Sequence, residues 1–332
     1  MIIVTGAAGF IGSNLIKGLN QIGITDILAV DDLTDGKKYR NLAVVKYRDY
    51  MDYRDFLEMI IALSSTSASQ IPDSKSQIPS ITAIFHQGAC SDTMEWDGRF
   101  MMKNNYDYSK VLLHFCLEKK IPFIYASSAA VYGAKTVFDD HDDAQLPLNV
   151  YGYSKLKFDE YVKPYLKNTA SQIVGLRYFN VYGPHENHKG RMASAAFHLM
   201  NQLRDNGVIR LFSSYGGYSD GEHQRDFIYV DDVVNLIIWF YQNPKKNGIF
   251  NCGTGQARAF NVIAKTLIEL NNGGKLEYIP FPDSLKGAYQ CFTQADLTKL
   301  REIGFDKPFI PLEKGLAQYF QWFKTEGQFH CA

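Results

Sequence analysis

The sequence is poor in cysteine, balanced in charge and free of long apolar runs. Its 5 cysteines are scattered and no two form a C-x-x-C pair. This argues against a zinc site and a disulfide framework and for a reducing compartment, and no metal is expected. Lys+Arg and Asp+Glu number 35 each. No basic field therefore suggests nucleic acid or an anionic membrane surface as a partner.

The apolar segments are too short to target or anchor the chain in a membrane. Met1–Gly6 has no basic region before it and is shorter than a signal sequence requires. The run Val233–Tyr241 is interrupted by Asn235 and is far shorter than a membrane span. With 46% hydrophobic residues the chain can bury a large core. We expect a cytoplasmic protein without a membrane partner.

Short β-rich runs alternate with helical patterns in the first half of the chain. This alternation predicts right-handed βαβ units and a doubly wound parallel sheet of the Rossmann type, an α/β fold. The expected helices are Ile11–Gln21 and Tyr106–Lys119. The expected strands are Ile2–Thr5, Ile27–Val30, Ala83–His86, Phe123–Ser127, Ile173–Tyr178 and Gly248–Cys252.

Two domains are expected, and they interleave. Residues 1–180 are expected to form mainly an NAD(P)-binding domain, to which strands near 225–255 return. Residues 181–332 contain more loops and are expected to form mainly a smaller α/β substrate-binding lobe. One insertion, Ser64–Ser80, holds seven serines and repeats Ser-Gln-Ile-Pro. Low complexity with proline and serine predicts an exposed loop there.

A glycine motif predicts a dinucleotide site. Gly6, Gly9 and Gly12 follow the first strand and open a helix. They allow a tight turn, close approach of the backbone to a pyrophosphate, and close packing of helix on strand. The helix N-terminus then offers backbone N–H groups to the phosphates. The small residues of His86–Ser91 end another strand and are expected at the same edge of the sheet.

The residues expected at the adenosine end of the cofactor are compatible with both NAD and NADP. Asp31 ends the second strand, where an acid usually accepts the 2′-hydroxyl of the ribose, which favours NAD. Lys37, Lys38, Arg40 and Arg48 follow closely and are candidates for neutralising the 2′-phosphate of NADP.

A tyrosine and a lysine are spaced for acid–base chemistry. Tyr151 and Lys155 are four residues apart and so lie on one face of a helix. A free tyrosine titrates near pH ~10, and a neighbouring ammonium favours its phenolate. Lys155 is also placed to hold the nicotinamide ribose. Ser128 ends the strand before this helix and is expected to be the third member of the triad.

Two later motifs predict substrate contacts. Asn180 and Val181 follow the strand that ends in Arg177-Tyr-Phe and are placed to meet cofactor and sugar. Arg225 suits a bidentate grip on a diphosphate. A structural ion pair between Arg225 and a neighbouring aspartate is the alternative.

Together these motifs resemble the extended short-chain dehydrogenase/reductase superfamily, and nearly the whole chain resembles its ADP-L-glycero-D-manno-heptose 6-epimerase family. Trp-Asp-Gly and His-Lys-Gly are not generic to the superfamily. The matching segments are Met1–Gly6, Glu95–Gly98, Asn149–Lys155, His188–Gly190, Met192–Ser194 and Gln294–Asp296. The resemblance implies an isomerase that inverts C6 of ADP-D-glycero-D-manno-heptose by transient oxidation, for lipopolysaccharide precursor synthesis. It also implies NADP, with NAD as the alternative, and a homo-oligomer of which a pentamer is one form.

The resemblance assigns roles to particular residues. Tyr151 and Lys189 would be the acid/base pair, supported by Ser128 and Lys155. The cofactor would be lined by Gly6, Gly9, Phe10, Ile11, Gly12, Asp31, Asp32, Lys38, Gln87, Gly88, Ala89, Cys90, Ser91, Asn104, Lys155 and Val181. The substrate would be contacted by Asn180, Arg191, His198, Phe212, Arg225 and Tyr289.

The chain departs from the family pattern at several positions. Tyr53 stands where a cofactor-contacting lysine is expected, although Arg54 adjoins it. Arg191 replaces a serine near the substrate, and Ser213–Gly221 is longer than the family loop. The diphosphate contacts of that loop therefore do not carry over.

Three other functions share parts of this pattern. A UDP-hexose 4-epimerase would share the glycines, the serine and the Tyr/Lys pair but gives no reason for Lys189. A 4,6-dehydratase typically has Asp-Glu after the active serine or threonine, whereas Ala129 and Ala130 follow Ser128. A redox-sensing binding protein usually loses the tyrosine or the lysine, and this chain keeps both. We therefore favour the 6-epimerase.

Overall fold

The computed structural model describes residues 1–65, 80–133, 135, 137–139, 145–167, 169–287 and 289–327. The strands are β1 Ile2–Thr5, β2 Ile27–Asp31, β3 Asp49–Asp52, β4 Ala83–His86, β5 Phe123–Ser128, β6 Ile173–Tyr178, β7 Asn180–Tyr182, β8 Val208–Phe212, β9 Gln224–Tyr229, β10 Gly248–Cys252, β11 Ala257–Ala259 and β12 Lys275–Ile279.

The helices are interspersed with the strands along the chain. They are α1 Phe10–Gln21, α2 Tyr39–Ala43, α3 Tyr53–Ser65, α4 Gly98–Met102, α5 Tyr108–Lys119, α6 Val150–Val162, α7 Ala195–Asn206, α8 Val230–Gln242, α9 Phe260–Leu270, α10 Thr298–Glu302 and α11 Leu312–Thr325. A π-helical turn, Lys103–Asp107, joins α4 to α5. Short 3₁₀ helices are Gly36–Lys38, Ala129–Val131, Lys163–Tyr165, Asn187–Met192 and Asp283–Leu285.

The main sheet has seven strands in the order β10-β6-β5-β4-β1-β2-β3. Strands β3, β2, β1, β4 and β5 pair in parallel. Strands β1, β2 and β4 are buried throughout, as expected for central parallel strands covered on both faces. The strand order reverses between β1 and β4, and ligands of such sheets bind at the carboxyl ends of the strands at this reversal. The predicted Rossmann architecture is confirmed.

The chain divides into two compact units. The first comprises 1–127, 149–176 and 234–249, and the second comprises 128–148, 177–233 and 250–332. The first unit has an apolar core that includes Ile3, Phe56 and Phe123. The second has its own core, built on α7, α9 and α11. These bounds differ from the expected boundary at residue 180, since 128–148 lie in the second unit.

One strand was not predicted from the sequence, and another lies in a different sheet from the one expected. Strand β3 reads Asp-Tyr-Met-Asp and is partly exposed, so no apolar pattern marks it. Strand β10 joins the main sheet, whereas β9, expected there too, lies between β11 and β7 in a three-stranded sheet. Strand β9 is almost wholly buried. A buried strand has the same sequence pattern in either sheet, so the sequence does not show which sheet it joins. Residues 66–79 of the serine-rich insertion and Cys331 lie outside the described residues.

Two features are absent from the described residues. No helix among them is long and apolar enough to cross a membrane. Within the same part of the chain, no group of three or more His, Cys, Asp or Glu side chains is arranged to hold a metal ion.

Candidate active site

The glycine motif forms the turn from β1 into α1. Gly6 has a φ of +67°, and a Cβ there would lie 2.6 Å from the backbone nitrogen of Gly88. A Cβ on Gly12 would lie 2.0 Å from the carbonyl oxygen of Gly6. No side chain caps α1, and its first turn carries no acidic residue. The backbone N–H groups at the start of α1 therefore suit the phosphates of a dinucleotide.

The loop after β4 faces the glycine turn and is clamped by Asn105. The Asn105 side chain accepts a hydrogen bond from Cys90 N (2.8 Å) and donates one to Cys90 O (2.9 Å). Asn105 lies in the π-helical turn, a feature often found at functional sites. The residue that the resemblance implies as a cofactor contact is the neighbouring Asn104, whose side-chain amide donates a hydrogen bond to Phe100 O. No periodicity in the sequence reveals a π-turn, so Asn105 was missed.

A buried histidine continues this clamp. Ser109 Oγ donates to Asn105 O at 2.6 Å, so His86 Nε2 donates to Ser109 Oγ at 2.8 Å. Burial and the nearby Lys155 ammonium lower the pKa of His86 to about 3, so the ring is neutral. Its Nδ1 then accepts from the Thr5 hydroxyl at 2.7 Å, and Thr5 Oγ1 accepts from Gly88 N at 3.2 Å. The chain of bonds holds the Gly88 loop only while His86 is neutral.

We expect His86 to lower the free energy of unfolding as the pH falls below 6.5. An unfolded histidine binds a proton near pH ~6.5, whereas the folded ring does so only near its pKa of about 3. The unfolded state holds more protons in this window, so this stability is complete above pH ~6.5 and is lost as pH falls. Between pH 6.5 and 5 the loss is about 2 kcal/mol, measurable by urea unfolding.

The variant His86→Asn isolates this contribution. Asp232, whose pKa burial raises to about 6, acts with the opposite sign in both proteins and cancels in their difference. The matched variant His114→Asn removes an exposed histidine and serves as the control for the loss of a histidine. If the free energy of unfolding falls equally in wild type and His86→Asn between about pH 6.5 and 5, the pH dependence does not come from His86.

The carboxylate at the end of β2 is already engaged. Asp31 Oδ2 accepts from Ala8 N at 2.7 Å, and Oδ1 accepts from the Lys38 ammonium at 2.5 Å and from Asp32 N at 2.7 Å. Arg54 lies 3.4 Å from Asp32 and 4.9 Å above the Tyr53 ring. Two cations thus balance two acids at the predicted adenosine ribose site.

Arg48, another sequence candidate for this site, lies elsewhere. It pairs with Asp26 at 2.8 Å, and its backbone nitrogen bonds Ile27 O. Both partners are at the amino end of β2, the end of the sheet opposite the predicted site. Lys37 is exposed, and its backbone nitrogen donates to Asp35. Lys38 and Arg54 are the cations that pair with the two acids, Asp31 and Asp32, at the carboxyl end of β2.

Helix α6 carries the Tyr/Lys pair. Asn149 caps the helix by accepting from Gly152 N at 2.8 Å, which places Tyr151 in the first turn and Lys155 one turn later. The buried Lys155 ammonium donates to Ala126 O at 2.8 Å. Burial lowers the pKa of Lys155 to about 8, opposed by the Asp159 carboxylate. The Lys155 amine is therefore close to titrating in the neutral range.

Ser128 stands at the end of β5 as predicted. It belongs to the second unit, and its hydroxyl accepts from Ala130 N at 3.1 Å, capping a 3₁₀ turn. In the same unit, β7 pairs with β9 so that Asn180 lies opposite Phe227. Arg225 is two residues before Phe227 on β9, and side chains two apart on a strand share one face. The sheet thus brings Asn180 and Arg225 to neighbouring positions.

Arg225 is a buried guanidinium that pairs with no carboxylate in the part of the chain that the structure describes. Its side chain is 7% exposed, bonds Gln224 O at 2.9 Å and lies 4.8 Å from the Tyr289 ring. Asp226, the alternative partner, accepts instead from Thr254, Gly255 and Ala295. Among the described residues Arg225 forms no salt bridge. A buried cation of this kind fits an anionic ligand such as a diphosphate.

A cluster of aromatic rings adjoins this guanidinium through Tyr289. Phe281 lies 5.4 Å from Phe212, 5.2 Å from Tyr289 and 4.1 Å from Tyr215, with which it stacks. Tyr215 is held by two backbone hydrogen bonds to Tyr218, which shape the loop 213–221. The resemblance implies Phe212 and Tyr289 as substrate contacts. Phe281 and Tyr215 were not predicted, because these rings meet only in the folded chain.

Lys189 lies in the 3₁₀ segment Asn187–Met192, which Gly190 kinks with a φ of +51°. Its side chain is partly exposed, and burial lowers its pKa while the Glu186 carboxylate raises it. Arg191 is exposed. His198 is partly buried in the first turn of α7.

The fold and these residues match a known group of enzymes. Residues 2–253 match the model of the NAD dependent epimerase/dehydratase family, and the chain belongs to this family. It is 52% identical over 96% of its length to the ADP-L-glycero-D-manno-heptose-6-epimerase of Alkalilimnicola ehrlichii, of which it covers 96%. The predicted family membership is confirmed, and the chain binds a nicotinamide dinucleotide.

Two solved structures extend the comparison. The ADP-L-glycero-D-manno-heptose-6-epimerase of Helicobacter pylori is 30% identical, with a TM-score of 0.82 over 98% of this chain and 96% of that one. The UDP-glucuronic acid 4-epimerase of Bacillus cereus, in complex with UDP-glucuronic acid and NAD, is 25% identical, with a TM-score of 0.75 over 98% and 99% of the two chains.

Proposed function

We propose that this protein is an isomerase that inverts C6 of ADP-D-glycero-D-manno-heptose to give ADP-L-glycero-D-manno-heptose, a precursor for lipopolysaccharide. The observation that carries the proposal is the 52% identity over nearly the full chain to an enzyme of that name. The glycine turn, the Tyr/Lys pair on α6 and the Lys189 segment support it.

The reaction assigns a task to each group. Reversible hydride transfer is the chemistry that the nicotinamide supplies when bound. The glycine turn and the loop 87–91 hold the dinucleotide, with Val181 contributing to its pocket. Tyr151 takes the proton from the C6 hydroxyl and returns one in one orientation of the sugar, and Lys189 does so in the other. Ser128 orients the oxygen, and Lys155 holds the ribose and supports Tyr151.

The second unit supplies the substrate contacts. Arg225, a buried cation without a carboxylate among the described residues, binds the diphosphate. Phe212 and Tyr289 offer rings to the nucleoside. Asn180 and His198 contact the sugar. Arg191 stands where the family has a serine and adds a cation near the substrate.

Product analysis tests the proposal directly. Purified protein is incubated with ADP-heptose of each C6 configuration, and NMR follows the sugar. We expect both to approach the same mixture. Turnover of a UDP-hexose at C4 instead, or of no sugar nucleotide at all, would reject the proposal in favour of a 4-epimerase or a sensor.

We expect NADP, more than NAD, to copurify with the protein. An epimerase regains the hydride that it removes, so it gains nothing by releasing its cofactor. Lys38 already neutralises Asp31, which weakens the repulsion of a 2′-phosphate, and Arg54 stands beside it. Lys38→Met and Arg54→Gln should each weaken NADP binding by about 10-fold, with little loss of NAD affinity.

The control for this prediction is Arg48→Gln, which removes a cation from the other end of β2 and should leave both affinities unchanged. Cofactor released from denatured protein is identified by chromatography, and affinities are measured by fluorescence titration. Release of NAD alone, with no preference altered by Lys38→Met, would contradict NADP.

We further infer a cytoplasmic homo-oligomer. The described cysteines Cys90, Cys116, Cys252 and Cys291 are free thiols, which suits a reducing compartment. The family resemblance supports the oligomer, of which a pentamer is one form. Multi-angle light scattering of the purified protein measures the assembly, and a monomer would contradict it.

A further inference from the structure

One buried carboxylate anchors both ends of the segment that carries Lys189. Glu186 is 0% exposed. Its Oε1 accepts from Gly183 N at 3.4 Å, before the segment, and its two oxygens accept from the hydroxyl and the backbone nitrogen of Ser194, after it. Ser194 also caps α7. A single side chain therefore sets the span between Gly183 and α7.

The same carboxylate ties the segment to the core of the second unit. The Tyr319 hydroxyl, on α11, donates to Glu186 Oε1 at 3.0 Å. Tyr319 is 0% exposed and belongs to the apolar core of that unit. The backbone nitrogen of Lys189 donates to Glu186 O at 3.0 Å. Glu186 thus fixes the position of Lys189 relative to the apolar core of the second unit.

Glu186 also acts on the charge of Lys189. Burial raises the pKa of Glu186, and the Lys189 ammonium and the donors from Ser194 and Tyr319 oppose that rise. Burial lowers the pKa of Lys189, and the Glu186 carboxylate opposes that fall. Lys189 and Tyr319 are titratable groups of the described residues that act on Glu186. The neighbouring His185 ring packs instead on Trp322, 5.7 Å away.

We propose that Glu186 is a positioning residue for the proposed epimerase reaction: it fixes the place of Lys189 and stabilises the protonated form of its amine. A general acid/base must hold a proton for part of the cycle and release it for the rest. Four converging donors hold the carboxylate in place, and its charge opposes the lowering of the Lys189 pKa by burial. The proposal rests on the proposed function, but its electrostatic part is measurable without turnover.

The first test measures the proton affinity of Lys189 in the resting protein. The full chain with its copurified cofactor is labelled with acetic anhydride at graded pH, and mass spectrometry gives the labelling rate of Lys189. Glu186→Gln keeps the shape and removes the charge. We expect the pKa of Lys189 to shift down by about one unit. The control Asp232→Asn removes another buried carboxylate of the same unit and should produce no shift.

A second variant keeps the proposal open to refutation if Glu186→Gln does not fold. Tyr319→Phe keeps the ring and removes one donor to the carboxylate. The less neutralised carboxylate attracts the ammonium more strongly, so the pKa of Lys189 should move up. Opposite shifts in the two variants are the expected signature. No shift of Lys189 in either variant overturns the proposal.

Kinetics complete the test. Glu186→Gln should lower kcat about 10-fold or more with a smaller change in KM, and should move the limb of the pH–kcat profile that Lys189→Met abolishes. Loss of activity equal to that of Asp232→Asn, with an unmoved pH limb, overturns the proposal. If the pKa of Lys189 shifts as expected but the wild type epimerises no ADP-heptose, the proposed function fails and the electrostatic role of Glu186 stands.

Discussion

Replacing Tyr151 with Phe is expected to lower kcat by about 100-fold or more, as for the loss of a general acid/base. The change removes the hydroxyl that is proposed to exchange the proton, while the ring and the cap at Asn149 remain. Lys155, buried one turn later and bonded to Ala126 O, is unchanged and is expected to hold the cofactor ribose as before. KM and the amount of copurified cofactor should therefore change little. Steady-state kinetics with NMR detection of the product measure kcat.

The same helix supplies a matched control. Tyr153 is 44% exposed on α6, and Lys157 lies 5.5 Å from its ring. Tyr153→Phe removes the same atom and should leave kcat within about 2-fold, as surface substitutions usually do. A Tyr151→Phe variant with the wild-type kcat, or a Tyr153→Phe variant equally impaired, would reject the role of Tyr151.

Replacing Lys189 with Met is also expected to lower kcat by about 100-fold or more. Inversion at C6 requires the oxygen to lose and regain a proton in two orientations, and one acid/base group is poorly placed for both. Burial lowers the pKa of Lys189, which favours its action as a base. The alternative is that Lys189 only grips the diphosphate. In that case Lys189→Met raises KM and leaves kcat intact, and the two-base proposal fails.

A substrate analogue at the aldehyde level separates these roles further. It enters after oxidation, so protein supplied with the reduced nicotinamide cofactor as hydride donor converts it to the alcohol, and each variant reports only the proton transfer to the alcohol oxygen. Lys189→Met and Tyr151→Phe should each block one stereochemical outcome while leaving the other measurable. The control Lys314→Met removes an exposed lysine of the same unit and should behave as wild type. Equal loss of both outcomes in Lys189→Met would contradict an orientation-specific base.

Several parts of the site could be predicted because they are local in sequence. The glycine spacing encodes a strand, a turn and a helix within about ten residues, and φ at Gly6 is +67° as such a turn requires. The spacing of Tyr151 and Lys155 fixes their common face once the segment is helical. Burial of β1, β2 and β4 follows from continuous apolar runs, which predict parallel central strands.

Other parts were decided only by contacts between distant residues. Glu186 reads as one acid in a loop until Gly183, Ser194 and Tyr319 converge on it. Asp31 is predicted from its position to accept the ribose hydroxyl, and only the fold shows that Lys38 and the Ala8 backbone also donate to it. The physical reason is the same in both cases, since a carboxylate takes its role from whichever donors the fold brings near.

The sequence by itself therefore determined the Rossmann architecture, the dinucleotide turn and the helix that carries the Tyr/Lys pair. These follow from backbone geometry and side-chain periodicity, which act over a few residues. Only the tertiary structure decided that β9 leaves the main sheet, that Asn105 clamps Cys90, and that Phe281 joins the rings near Arg225. Those features depend on side-chain packing between segments far apart in the chain, which no local pattern encodes.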